Sequence, residues 1–287
     1  MSSDFGARSS GVCYRHPDRA SFVLCQRCGR TICGDCQTQA AVGVICPECL
    51  REQRASMSTA QKRASRWGGR GALATRTPSV TVVIIAITAL AYILQWLVPG
   101  FTQTFWFAPI HAEPQLFQPW RMLTSVFLHS TGFIFHILLN MYTLWIFGRV
   151  LEQQLGRGRF LTLYLMAGFA GSLGVMFLAP IDQPVVGASG AIFGLMGAFI
   201  VIQRRLGNEM RSLLVLVGLN LVIGFLPGMS ISWQAHLGGL IGGAIFGWIC
   251  YESRGSNQTR KFWLLTSLLG VVMILLSLWR FAFPTFA

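Results

Sequence analysis

Val186-Gly187-Ala188-Ser189-Gly190-Ala191-Ile192-Phe193-Gly194 opens an apolar run that reads as a membrane helix. A serine among glycines has a plain explanation there, because small residues let membrane helices pack closely. A second stretch changes its weight. Ala235-His236-Leu237-Gly238-Gly239-Leu240-Ile241-Gly242-Gly243 sets an ionisable histidine at the start of another apolar run. Ionisable groups inside a bilayer are costly, and so are functional candidates. The architecture to look for is one that brings this serine to this histidine.

Composition places the search in a membrane. Charged residues make up 11% of the 287 residues and the mean hydropathy is +0.54, values of a polytopic membrane protein. The net charge of +13 is spread along the chain. Residues 1–77 hold 12 Lys/Arg against 5 Asp/Glu, and the rest hold 11 against 5, mostly at helix ends. Met1 to Ser10 is polar, so no signal peptide is expected.

Apolar runs fall at about 79–98, 133–148, 160–179, 189–202, 212–226, 233–251 and 262–279. The first, third and seventh are long enough to span. Arg157 and Arg159 follow run two, Arg204, Arg205 and Arg211 follow run four, and Arg254, Arg260 and Lys261 follow run six. The loops after runs one, three and five hold only Arg121 as a firm cation. Lys/Arg excess marks the cytoplasmic side, so the expected amino terminus is inside and the carboxyl terminus outside, in the plasma membrane. The loop at residues 99–132 carries Phe105, Trp106, Phe107, Phe117 and Trp120 and is expected to lie in the outer interface.

Seven of the eight cysteines precede residue 50. They form four pairs with one histidine: Cys13 with His16, Cys25 with Cys28, Cys33 with Cys36 and Cys46 with Cys49. Eight ligands make two tetrahedral zinc sites, and a reducing compartment keeps the thiols free. The stretch resembles a B-box-like or cross-brace zinc finger, in which pairs one and three share one metal and pairs two and four the other. Sequential pairing stays open. Three thiolates with one imidazole, and four thiolates, leave the two zinc sites anionic, so nucleic acid is not a favoured partner. Residues 51–77, with Lys62, Arg63, Arg66, Arg70 and Arg76, read as a basic linker that can also meet anionic lipid headgroups.

Depth in the bilayer points to the chemistry. His136 lies 13 residues before Arg149, Ser189 14 before Gln203 and His236 16 before Glu252. With those polar residues as the inner helix ends, at about 1.5 Å per residue the three side chains sit roughly 20–24 Å above the inner boundary of a hydrocarbon core about 30 Å thick. Asn140 is one turn below His136. Gly190 and Gly194 on one helix, and Gly239, Gly243 and Gly247 on the other, allow the close approach that Ser189 and His236 need. Phe193 shares the face of Ser189 and can stack on the imidazole. Ser189 reads as nucleophile and His236 as general base, with Asn140, His136 and the Ser189 N–H supporting an oxyanion. No carboxylate lies at this depth, which leaves a Ser–His dyad. His111 and His129 read as loop or interface residues. No HExxH pattern and no aspartate pair within the spans is present for other protease chemistries.

Residues 78–283 resemble a rhomboid intramembrane serine protease. The matching pieces are Trp120-Arg121, His136 with Asn140, Gly187-Ala188-Ser189-Gly190, and Ala235-His236 with Gly239. The resemblance implies an all-α polytopic fold, a six-helix core plus one C-terminal transmembrane helix, behind a 1–12 tail and a 13–50 zinc-binding module. It also implies hydrolysis of transmembrane protein substrates near the outer membrane face, with membrane lipids as surroundings, no catalytic cofactor and two structural zinc ions. Phe193 stands where some relatives have tyrosine. A cytoplasmic protein partner of the zinc module is a further expectation. The alternatives are a non-proteolytic rhomboid-like chaperone or adaptor, whose relatives typically lack the serine or histidine, and a transporter with broken helices.

Overall fold

A computed structural model describes residues 11–40, 43–56, 79–223, 231–255 and 258–284. The chain forms two compact units, Met1–Arg66 and Trp67–Ala287. Most of the expected N-terminal tail, the cations Lys62, Arg63, Arg66, Arg70 and Arg76 of the linker, and the end of the fifth apolar run lie outside the described residues.

In the first unit, β1 (Val12–Cys13) pairs antiparallel with β2 (His16–Ala20), and β3 (Thr38–Gln39) with β4 (Val44–Ile45). A 3-10 turn at Gly34–Cys36 and helix α1 (Pro47–Ser56) complete it. Its interior is six cysteines around Ile32 and Ile45, while Cys28 is exposed. So small an apolar core cannot hold a chain this short folded without cross-links or metal.

The second unit is helical. Its order is α2 (Val80–Leu97), the short α3 (Phe101–Phe105) and α4 (Arg121–Thr124), α5 (Ile134–Leu155), α6 (Arg157–Leu178), α7 (Ser189–Arg205), α8 (Arg211–Ile223), α9 (Trp233–Glu252), α10 (Thr259–Ser277) and α11 (Trp279–Ala282). By length and composition α2, α5, α6 and the stretch Thr259–Ala282 can each cross a membrane. The second apolar run is therefore longer than the sequence suggests. Arg149 does not end it, because a charged side chain at a span's edge can reach water without breaking the helix. The chain leaves α5 at Gly156, where φ is +81°, a backbone conformation that glycine alone takes without strain.

Small residues set the packing of α6, α7 and α9. A Cβ added at Gly239 or Gly243 would fall onto the carbonyls of Gly190 and Gly194, and one at Gly247 would lie 2.6 Å from Ala198 Cα. The register rises in step on both helices, so α7 and α9 run parallel with their backbones in contact. On α6 the order reverses: Gly171 meets Gly190, while Ala167 meets Gly194. Helix α6 thus runs antiparallel and wedges against both. At the other side, Glu152 near the end of α5 accepts hydrogen bonds from Ser79 Oγ, the Val80 and Thr81 N–H groups and Thr81 Oγ1 at 2.5–3.0 Å. A carboxylate on another helix here satisfies the free donors at the start of α2 and meets the positive end of its dipole.

The loop between α2 and α5 is not only an interfacial layer. Trp120 is exposed, but Phe107 is fully buried and packs with Met122, Ala170 and Met176. Its backbone exchanges two hydrogen bonds with Val185, at 3.3 and 2.8 Å, two residues before Gly187. Arg121 is also buried, donating to Gln118 Oε1 and to the carbonyls of Gln103 and Trp106 at 2.5–3.0 Å. A planar guanidinium with several donors suits this work of tying irregular backbone together.

Candidate active site

His136, Ser189 and His236 all lie in the first turn of their helices, α5, α7 and α9. Common helix starts, and not the inner ends used for counting along the sequence, place them at one level. Ser189 opens α7, and the first α7 N–H with a helical carbonyl is that of Ile192, 3.0 Å from Ala188 O. The preceding N–H groups, including that of Ser189, are the free donors of a helix start. Helix α9 begins beside it. Ser232 caps α9 by accepting the Ala235 N–H at 3.3 Å, and Gly190 lies against Ala235.

The His236 imidazole is buried and stacks on Phe193, with ring centroids 4.0 Å apart and planes 10° from parallel. Its Nδ1 has no hydrogen-bond partner among the described residues, so no third group orients it from behind. No hydrogen bond joins Ser189 Oγ to His236 among the described residues; the two are held near each other by their helix starts.

Gly187 opens the space next to the serine. Its φ is +133°, and a Cβ there would lie 2.9 Å from His136 Nε2 and 3.7 Å from Ser189 Oγ. One small volume is therefore bordered by the histidine nitrogen and the serine oxygen, and only a glycine leaves it clear. The Gly187 N–H is fixed by Ser125 O at 3.0 Å. His136 Nδ1 accepts the Ser130 N–H at 3.2 Å. In a neutral imidazole this assigns the proton to Nε2, the nitrogen that borders the space. Asn140 is buried and donates from Nδ2 to the His136 carbonyl at 2.7 Å, leaving its second amide hydrogen. The site has a hydroxyl, a basic ring and several donors converging at one level, the set required for acyl transfer.

His129, expected as a loop or interface residue, does lie in a loop. It is fully buried there, and its ring stands edge-on to His136 with centroids 5.0 Å apart. Burial, then the nearby His136, pushes its pKa down to about 3, so it is neutral. Gln95 on α2 clasps its backbone, donating to His129 O and accepting from His129 N at 2.9 Å each. His111 is likewise buried, and its Nδ1 accepts the Ala108 N–H at 3.1 Å. A glutamine with its partner 34 residues away gives no local sequence signal.

The Rhomboid domain family matches residues 116–253. "Putative rhomboid protease YdcA" of Bacillus subtilis (strain 168) is 36% identical over 140 residues, covering 47% of this chain and 69% of that protein. The chain belongs to the rhomboid family. "Rhomboid protease GluP" of the same organism is 34% identical over 178 residues, covering 58% of this chain and 34% of that protein. "RHOMBOID-like protein 7" of Arabidopsis thaliana is 41% identical over 140 residues, covering 46% and 43%. The chain thus spans about two thirds of one relative and less than half of the other two. This rhomboid is an integral, multi-pass membrane protein, and the matched region contains Ser189, His236, His136, Asn140, Gly187 and Phe193.

The cysteine clusters lie outside that match. In the first unit, the ligand atoms of Cys13, His16, Cys33 and Cys36 lie within 4.8 Å of one another, as do those of Cys25, Cys28, Cys46 and Cys49. Pairs one and three meet, and pairs two and four, in interleaved order. His16 faces its cluster with Nδ1, 3.3–3.7 Å from the three sulfurs. These donor sets and spacings fit a tetrahedral metal ion. Burial, then the neighbouring thiols, pushes Cys36 up to about 11 and Cys49 higher still. A dication reverses that cost, because it makes four adjacent thiolates favourable.

Proposed function

We propose that this rhomboid is an intramembrane serine endopeptidase that hydrolyses peptide bonds of transmembrane protein substrates near the outer membrane face. Ser189 Oγ attacks the substrate carbonyl carbon while His236 takes its proton. The negative charge on the carbonyl oxygen is met by the His136 Nε2–H, the Ser189 N–H and Asn140. When the C–N bond breaks, His236 returns the proton to the leaving amine. Water then attacks the acyl-enzyme, with His236 again as base, and frees the carboxyl product and the serine. The observation that carries this reading is the space beside Gly187, bordered by Ser189 Oγ and His136 Nε2, next to a helix whose Phe193 holds the His236 ring.

In this reading the helices form a six-plus-one arrangement in the plasma membrane, amino terminus cytoplasmic, with α10 as the added span. Zinc fits both clusters of the first unit, held by Cys13, His16, Cys33 and Cys36 and by Cys25, Cys28, Cys46 and Cys49, where it supplies folding free energy. The module then serves recognition or regulation toward a cytoplasmic protein partner. The deciding experiment uses a purified transmembrane reporter substrate and a serine-reactive phosphonate. Wild-type protein should cleave and be labelled at Ser189, and Ser189→Ala and His236→Ala should each abolish cleavage without adding to one another. Full cleavage by Ser189→Ala defeats the assignment.

A further inference from the structure

Helices α7 and α9 stay in backbone contact from the serine as far as Ala198 and Gly247, and a groove opens beside that contact. There Val201, Arg204 and Arg205 of α7 face Ala244, Ile245 and Trp248 of α9 across a groove of about 580 Å3. That volume is in the range of sites for one small ligand or one lipid chain. The walls are apolar, and Ile245 and Trp248 are more than two fifths exposed toward the bilayer. The polar end is cationic. Arg205 reaches across to Tyr251, 5.8 Å from the ring centroid, and Arg254 covers the same ring at 3.7 Å. No ion pair to Arg204, Arg205 or Arg254 is present among the described residues. Glu209, the nearest acid in sequence to Arg204 and Arg205, pairs instead with Arg211 at 3.7 Å.

We propose that this groove binds an anionic phospholipid, its phosphate between the Arg204 and Arg205 guanidiniums and one acyl chain along Val201, Ala244, Ile245 and Trp248. Arginines at the end of a span ordinarily serve only as diffuse positive charge. Here one of them bridges two helices over a concave apolar floor, and basic pockets between membrane helices suit anionic head groups. A zwitterionic lipid fills the same floor but brings its own cation to the arginines. The lipid touches both helices that carry Ser189 and His236, so its binding stabilises their packing by mass action. The inference rests on the membrane-spanning fold and not on the protease reading, and Ser189→Ala protein should bind lipid like wild type.

The test uses full-length protein in detergent with phosphatidylglycerol or phosphatidylcholine, read by native mass spectrometry of retained lipid and by thermal unfolding. Phosphatidylglycerol should be retained in preference and raise the unfolding temperature, and inorganic phosphate should not. Two basic residues near an anionic head group amount to roughly 30-fold in affinity, so the double variant Arg204→Gln/Arg205→Gln should lose about that much for phosphatidylglycerol and little for phosphatidylcholine. Arg211→Gln should change neither. A photoreactive acyl chain on phosphatidylglycerol should label the 244–248 segment of the wild type, a readout that needs no variant. Equal retention of both lipids, an equal loss with Arg211→Gln, or labelling elsewhere would each overturn the site.

Discussion

Phe193 lies flat on the imidazole of His236, 4.0 Å between centroids. It stands one turn past Ser189 on α7, so one helix carries the hydroxyl and also sets the plane of the ring proposed to act as its base. Stacked rings contribute about 0.5–1.5 kcal/mol beyond their burial, and a base that rotates freely loses alignment as well. Phe193→Ala should lower kcat by roughly tenfold with KM little changed, and Phe193→Tyr should stay near wild type. An unchanged kcat in Phe193→Ala would show that the stack plays no part in orienting His236.

Gly187 is tested by adding one carbon. A methyl group there would lie 2.9 Å from His136 Nε2, at a φ of +133°. Gly187→Ala should cost roughly 10²–10³ in kcat, the usual cost of a lost oxyanion donor, with some loss of stability from strain. Gly218→Ala is the control, because nothing lies within 4 Å of its added carbon. Equal activity of the two variants would mean that the space beside Ser189 is not where the oxyanion forms.

His136 and Asn140 should separate in magnitude. The His136 Nε2–H borders the space directly, whereas Asn140 already spends one amide hydrogen on the His136 carbonyl. His136→Ala should cost roughly 10²–10³ in kcat, and Asn140→Ala roughly tenfold, since one donor of several is lost. A larger loss with Asn140→Ala than with His136→Ala would reverse the assignment of the main donor.

The helices of Ser189 and His236 were legible because their demands are local. Glycines four apart on each of two runs announce a backbone-to-backbone contact, and a histidine at the start of a run is visible by its cost. What was not legible depends on distant chain. The Phe107–Val185 pairing joins residues 78 apart, and nothing in an aromatic loop tells which ring turns inward. The end of α5 was misread for a different reason: Arg149 looked like a boundary, while the boundary is set by backbone conformation at Gly156. Only the fold reveals Glu152 as the cap of α2, because its partners lie more than 70 residues away.

Arg280 and Glu113 link the last span to the loop that pairs with the serine lead-in. Their side chains are 15% and 3% exposed and 3.3 Å apart, and Phe281 packs on Phe117 beside them at 4.8 Å. Removing one partner of a buried ion pair takes a favourable interaction from the charge that remains. Glu113→Gln and Arg280→Gln should each lower the unfolding temperature clearly. The exchange Glu113→Arg/Arg280→Glu should recover part of the loss, as a coupled pair does. Additive losses in the exchange variant would show that the two residues act separately.

The first unit should be needed for metal and not for hydrolysis. The proposed hydrolysis draws on Ser189, His236, His136 and Asn140, all of them in the second unit. Two ligand clusters predict two zinc ions per chain, one lost with Cys13→Ser and the other with Cys25→Ser. Each loss should unfold the module, because its interior is made of the ligands themselves. A protein lacking residues 1–66, assayed in detergent beside the full chain, should bind no zinc and cleave the same reporter at a similar rate. Equal zinc content in the two proteins would disprove the ligand assignment. Complete loss of cleavage in a folded truncated protein would place the module within the catalytic unit.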